Sequence, residues 1–145
     1  MAAACGFCGI LSGDVTAEVV LEERDVFAFL DRRPVFKGHL LVVPRAHIAT
    51  LADLPAELLA PLFVAVQRCA NAMPEAVGSQ GSWVSINNVV SQSVPHLHVH
   101  VVPRTKGDGL RGFFWPRTTY ADAEEMADYA ARLRRVLGGE TAGPP

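Results

Sequence analysis

The stretch PHLHVHVVPR, residues 95–104, sets His96, His98 and His100 at every second position, with Leu97, Val99 and Val101 alternating against them. An imidazole with an ordinary pKa of about 6.5 serves near neutral pH as base, nucleophile or metal ligand. In extended backbone, side chains alternate faces with period two. The three rings are therefore expected on one face, roughly 7 Å apart along the strand, with the apolar residues on the other. Two chemistries compete with a plain solvated strand. Two or three of the rings could ligate a metal. Alternatively, the central ring attacks an electrophile while its neighbours orient it and handle protons. The chain has two more histidines, His39 in KGHLL and His47 in PRAH. Near the N-terminus, Cys5 and Cys8 form C-x-x-C. A redox role wants a βαβ context, which the pattern lacks. A structural zinc site needs two further ligands, and His47 and His96 are available to complete a Cys₂His₂ set. Cys69 falls on the apolar side of a helical pattern and reads as core.

Elements must position these residues. AEVVLEE (17–23) and VFAFLD (26–31) read as two strands joined by a tight turn at Arg24–Asp25, and GHLLVVP (38–44) as a third strand buried on both faces. Leu58, Leu59, Leu62, Phe63, Val66, Ala70 and Met73 recur at helical spacing over 55–73, with Pro55 in the first turn and Pro74 and Gly78 marking the end. SWVSINN (82–88) and HLHVHVV (96–102) give two more strands. A last helix runs from about Asp122 to Leu137, with Met126, Tyr129, Ala130, Leu133 and Leu137 inward and Asp122 with Glu125 as a capping box. This order predicts an α+β domain: a five-stranded antiparallel sheet with one long helix and a C-terminal helix. It spans 1–137 as a single domain, followed by a disordered tail, 138–145.

With 145 residues, half of them apolar, and a net charge of −2, the chain buries a core without staples and offers no broad basic face for nucleic acid. No apolar run approaches the roughly 20 residues of a membrane span, and the N-terminus makes a poor signal peptide. Three cysteines, two of them in C-x-x-C, point to a cytoplasmic setting rather than a disulfide scaffold. GDGLRG (107–112) matches G-x-G-x-x-G, but FFWPRTTY follows it rather than a helix, so it reads as a glycine loop. Phe113, Phe114 and Trp115 could serve as core, as a dimer contact or as a wall for a base.

The run H-L-H-V-H-V-V resembles the signature of the histidine triad (HIT) superfamily. CGFCGILSGD, VFAFLDRRPVFKGHLLVVPRAH and SQSVPHLHVHVVPR resemble the same family in the same order over about residues 5–104, most closely its bacterial Hint-like branch. The resemblance implies a nucleotidyl hydrolase or transferase acting on nucleoside monophosphates joined to a leaving group, such as purine nucleoside phosphoramidates. Dinucleoside polyphosphate hydrolysis or phosphorolysis, or a non-catalytic zinc-containing nucleotide-binding protein, are the alternatives. It makes His98 the nucleophile, places His100 beside the phosphate or leaving group, and reads His39 as an orienting residue. It puts Asp31 on ribose hydroxyls, and Asn87, Gln92 and Ser93 near phosphate and leaving group. It assigns Cys5, Cys8, His47 and His96 to Zn²⁺, and it implies a homodimer. The loop NVVSQSVPH (88–96) is short and lacks glycine. No lysine or arginine in the motifs obviously neutralises a polyphosphate, which favours a compact monophosphate electrophile.

Overall fold

A computed structural model describes residues 5–110 and 118–138. The chain divides into two compact units, one through Asp108 and one from Gly109. The first unit holds helix α1 (Gly6–Ser12), strands β1 (Val19–Glu22), β2 (Val26–Leu30) and β3 (Leu40–Pro44), a 3₁₀ turn (Leu51–Asp53), helix α2 (Ala56–Val77), and strands β4 (Gly81–Ser85) and β5 (Val99–Arg104). The five strands form one antiparallel sheet in the order β1-β2-β3-β5-β4. The expected α+β architecture is what the chain adopts.

Period-two alternation sorts the sheet into two faces. Val26, Ala28, Leu40, Val42, Leu97, Val99 and Val101 pack with Leu62, Ala65, Val66, Cys69 and Met73 of α2. The intervening Phe27, Phe29, Leu41 and Val43 form a second cluster with Phe7 of α1. Cys69 is core, as its place on the helix predicts. β3 is buried along its whole length because both faces are covered.

The sequence pattern misplaces several boundaries. α2 continues past Pro74 to Val77 and ends at Gly78, whose φ of 71° supplies the left-handed cap. A proline forfeits one intrahelical hydrogen bond, and burial of Met73 one residue earlier keeps that face on the sheet. β3 and β4 are shorter than expected, and β5 starts at Val99 rather than at His96. Leu97 N donates to Ile48 O at 2.6 Å and His96 N to Val94 O at 2.8 Å, so the segment is tied to the loop after β3 before it joins the sheet. α1 has no counterpart in the sequence reading. Gly13, at φ 83°, caps it, and its length of seven residues is too short for periodicity to show.

The second unit contains helix α3 (Ala123–Leu137). Asp122 accepts from Glu125 N at 2.8 Å, while the Glu125 carboxylate accepts from Ala121 N, one residue before the expected box partner. Met126, Tyr129, Leu133 and Leu137, expected inward, are exposed. Phe113, Phe114 and Trp115, and the tail beyond Gly138, lie outside the described residues. Among the described residues, no helix is long and apolar enough to cross a membrane.

Candidate active site and metal-binding cluster

A cavity of about 540 Å³ opens on the Phe29–Leu41 face of the sheet. Register aligns Phe29, Leu41 and His100 in one row across β2, β3 and β5. Asp31 follows at the end of β2, and His98 precedes β5. Asp31, Ser93, His98 and His100 line the cavity together with Gly6, Phe7 and Ile10 of α1. Of the remaining candidates, His39 sits behind His100, while Asn87 and Gln92 are not among the lining residues. Gln92 is spent on the loop: its amide nitrogen donates to Ala49 O at 2.6 Å and its oxygen accepts from Val89 N at 3.0 Å.

Hydrogen-bond partners assign the imidazole tautomers in a chain. Val35 N donates to His39 Nδ1 at 3.1 Å, so the His39 proton is on Nε2. That nitrogen lies 2.9 Å from His100 Nδ1, which therefore accepts, leaving the His100 proton on Nε2. His100 Nε2 is buried and has no partner among the described residues. His98 Nδ1 donates to its neighbour's carbonyl, His96 O, at 2.7 Å, which leaves the lone pair on His98 Nε2. Two residues of the cavity lining, with ring centroids 4.9 Å apart, thus carry a lone pair on His98 Nε2 and an unsatisfied N–H on His100 Nε2. That separation is shorter than the spacing expected along a strand because the two rings lean together. An unsatisfied buried donor is rare enough in a folded protein to point to function.

Burial is the main cause that lowers the His100 pKa, to about 4, with the positive potential of His98 and His39 adding and Asp31 opposing. His39 is also lowered, chiefly by burial, against the pull of Asp31. His100 is therefore uncharged at neutral pH and offers a hydrogen bond rather than a proton. The Asp31 carboxylate accepts from Arg33 N at 2.8 Å and lies 3.7 Å from His39 Nδ1.

Cys5, Cys8, His47 and His96 converge, with their ligand atoms all within 4.8 Å of one another. Cys5 Sγ is 3.4 Å from His96 Nδ1, Cys8 Sγ is 3.4 Å from His47 Nδ1, and Cys8 Sγ is 3.7 Å from His96 Nδ1. His96 is fully buried, and its Nε2 donates to Pro44 O at 2.8 Å, which turns the Nδ1 lone pair toward the sulfurs. Burial lowers the His96 pKa and, with Cys5 adjacent, raises that of Cys8. The α1 backbone connects cluster and cavity. Phe7, between the two cysteines, packs edge-on against His98 at 5.1 Å and against Phe29 at 5.2 Å.

Sequence reasoning missed Gly6, Phe7 and Ile10 as cavity residues. The signal was present in an aromatic flanked by two candidate ligands. It found no lysine or arginine that obviously neutralises a polyphosphate and gave Arg32 and Arg33 no role, and both line the cavity.

A HIT domain model matches residues 12–107. Protein hit of Bacillus subtilis is 40% identical over 139 residues, covering 92% of this chain and 94% of that protein. Adenosine 5'-monophosphoramidase hnt1 of Schizosaccharomyces pombe is 33% identical over 114 residues, covering 77% of this chain and 83% of that protein. The crystal structure of a Zn-bound histidine triad family protein from Mycobacterium smegmatis superposes with a TM-score of 0.72 at 34% identity, covering 97% of this chain and all of that one. On fold, motif order and sequence, the chain belongs to the histidine triad family.

Proposed function

We propose that this protein hydrolyses or transfers the nucleoside monophosphoryl group of a conjugate such as a purine nucleoside phosphoramidate, through a covalent nucleotidyl-His98 intermediate. The observation that carries it is the pairing of tautomers: a lone pair on His98 Nε2 beside an unpartnered N–H on His100, in one cavity. His98 Nε2 forms a bond to phosphorus as the bond to the leaving atom breaks, and the departing amine takes its proton from water. Water then attacks the nucleotidyl-imidazole, releasing the nucleoside monophosphate and regenerating His98. A neutral imidazole that donates a hydrogen bond stabilises charge where it develops, as an electrophile rather than a general acid. Ser93 donates to phosphoryl oxygen. Asp31 accepts ribose hydroxyls with its remaining lone pairs. The phosphoramidase and adenylylsulfatase names of relatives from fission yeast and Arabidopsis thaliana support this class of substrate.

The four-residue cluster fits Zn²⁺. Tetrahedral zinc with Zn–S and Zn–N bonds of about 2.3 and 2.05 Å separates a sulfur from a nitrogen ligand by about 3.6 Å. Three of the four Cys–His separations, 3.4 to 3.7 Å, bracket that value. The Pro44 carbonyl on His96 is the kind of outer partner that fixes a ligand's tautomer. Bound there, the ion would clasp α1 to the segment before β5 and take no part in the reaction.

Turnover of a fluorogenic adenosine phosphoramidate tests the reaction. His98→Ala is expected to lower the rate on the order of 10⁴–10⁶-fold. Mass spectrometry after a quench that spares acid-labile bonds is expected to find the nucleotide on one histidine. Equal rates in both proteins would remove His98 as nucleophile.

A further inference from the structure

We propose that Arg32 and Arg33 read the edge of the nucleobase and select guanine over adenine. This rests on the nucleotide reading of the cavity and names the base it takes.

The cavity has two chemically distinct ends. On the β5 side stand Ser93, His98 and His100, where phosphorus must lie. On the β2 side the lining is Ile10 of α1, Ala17, Phe29 and Leu30, an aromatic and aliphatic wall suited to the flat face of a base, and Phe7 stands between the two, packed against both Phe29 and His98. Arg32 and Arg33 follow directly on Leu30 and Asp31, so they sit at the nucleoside end. An Asx turn, with Arg33 N on Asp31 Oδ1 at 2.8 Å, holds their backbone at the rim. Both side chains are exposed, and neither guanidinium has an ion pair or hydrogen bond among the described residues. Several other arginines are engaged: Arg45 with Glu23 O, Arg68 with Glu23, Arg104 with Asp108 and Arg132 with Asp128.

A guanidinium has five donors and no acceptor. The neighbouring carboxylate, Asp31, accepts from Arg33 N, and in the proposed function its remaining lone pairs serve the ribose hydroxyls. The side chains that can reach a base edge at this end are therefore donor-only. Guanine presents two adjacent acceptors, O6 and N7, which match the fork of one arginine. Adenine presents an amino group beside N7, so a donor would face a donor. Such a mismatch discriminates because the polar groups of the losing pair are left without partners.

The test uses the whole chain. Isothermal titration calorimetry gives dissociation constants for GMP and AMP, and steady-state kinetics gives kcat/KM for guanosine and adenosine 5'-phosphoramidates. The wild type is expected to favour the guanine compound about tenfold in both, the lower part of the range for one bidentate contact. The Arg32→Ala/Arg33→Ala double variant is expected to bring the ratio close to one. Arg32→Lys/Arg33→Lys keeps the charge and loses the fork, and should also lose the ratio. A wild-type ratio near one or favouring adenine overturns the proposal, as does a guanine preference that survives the alanine pair. Absence of binding by either nucleotide overturns it together with the nucleotide reading. A GMP preference in binding without turnover sinks only the catalytic reading. Turnover through His98 without base preference sinks only this inference.

Discussion

Acid should unfold this protein partly through one histidine. His100 titrates at about 4 in the folded chain against an ordinary 6.5. As pH falls through 6.5 the unfolded chain takes up a proton that the folded chain refuses until near 4. The stability tied to His100 is thus fully present above 6.5 and is lost as pH falls toward 4. Proton linkage between about pH 7 and about pH 4.5 puts the loss at about 2 kcal/mol. His39 and His96, both lowered mainly by burial, act in the same direction. The measurement is a pair of urea titrations at those two pH values on the wild type and on His100→Gln. Groups common to both proteins contribute to both, so the difference between the two losses isolates His100. The wild type should lose about 2 kcal/mol more than the variant, a midpoint difference of roughly 1 M urea. Equal losses would show that the His100 site tolerates a charged ring. The assignment of His100 as a neutral hydrogen-bond donor would then fail with it.

Val89 and Ser91 adopt left-handed backbone, at φ 66° and 60°, in a loop without glycine. For a β-branched residue such a conformation costs about 1–3 kcal/mol. Val89 is 76% exposed, so Val89→Gly forfeits little burial. After the entropy of a freer unfolded chain is deducted, it should stabilise by about 1 kcal/mol and raise Tm by about 2–4 °C. An unchanged or lower Tm in thermal unfolding would argue that the loop carries no such strain. Cys8→Ser should abolish stoichiometric zinc by elemental analysis. It should also cancel the stabilisation that added zinc gives the wild type, about 4 kcal/mol when the ion is a thousandfold above its Kd. Retention of zinc by the variant would remove Cys8 from the ligand set.

The sheet was legible because alternation on β2, β3 and the triad strand is strict, and each of those strands buries an apolar stripe against α2. Strand ends were less so, since they depend on where partners stop. β5 begins late because Leu97 bonds a loop residue 49 positions away in sequence, which no local pattern encodes. Spacing placed His98 and His100 on one face, and the resemblance to the family grouped Cys5, Cys8, His47 and His96. Neither could reveal which nitrogen of each ring carries the proton, because that depends on Val35 N, His96 O and His39 Nε2. α1 escaped notice for a related reason. Its seven residues owe their order to Phe7 seated against Phe29 and His98 rather than to helical propensity. The exposed apolar stripe of α3 shows the converse, a pattern that predicts an amphipathic helix without saying what covers it.

His96 faces two ways at once. Its ring belongs to the cysteine cluster, while its main-chain oxygen fixes the proton of His98. The second service is independent of residue type. Any amino acid at this position that keeps the same chain path would still dictate which ring nitrogen of His98 carries the proton. A descendant of this sequence could therefore shed its cysteines and keep the same His98 tautomer, whereas a one-residue insertion between 96 and 98 would spare every side chain and lose it.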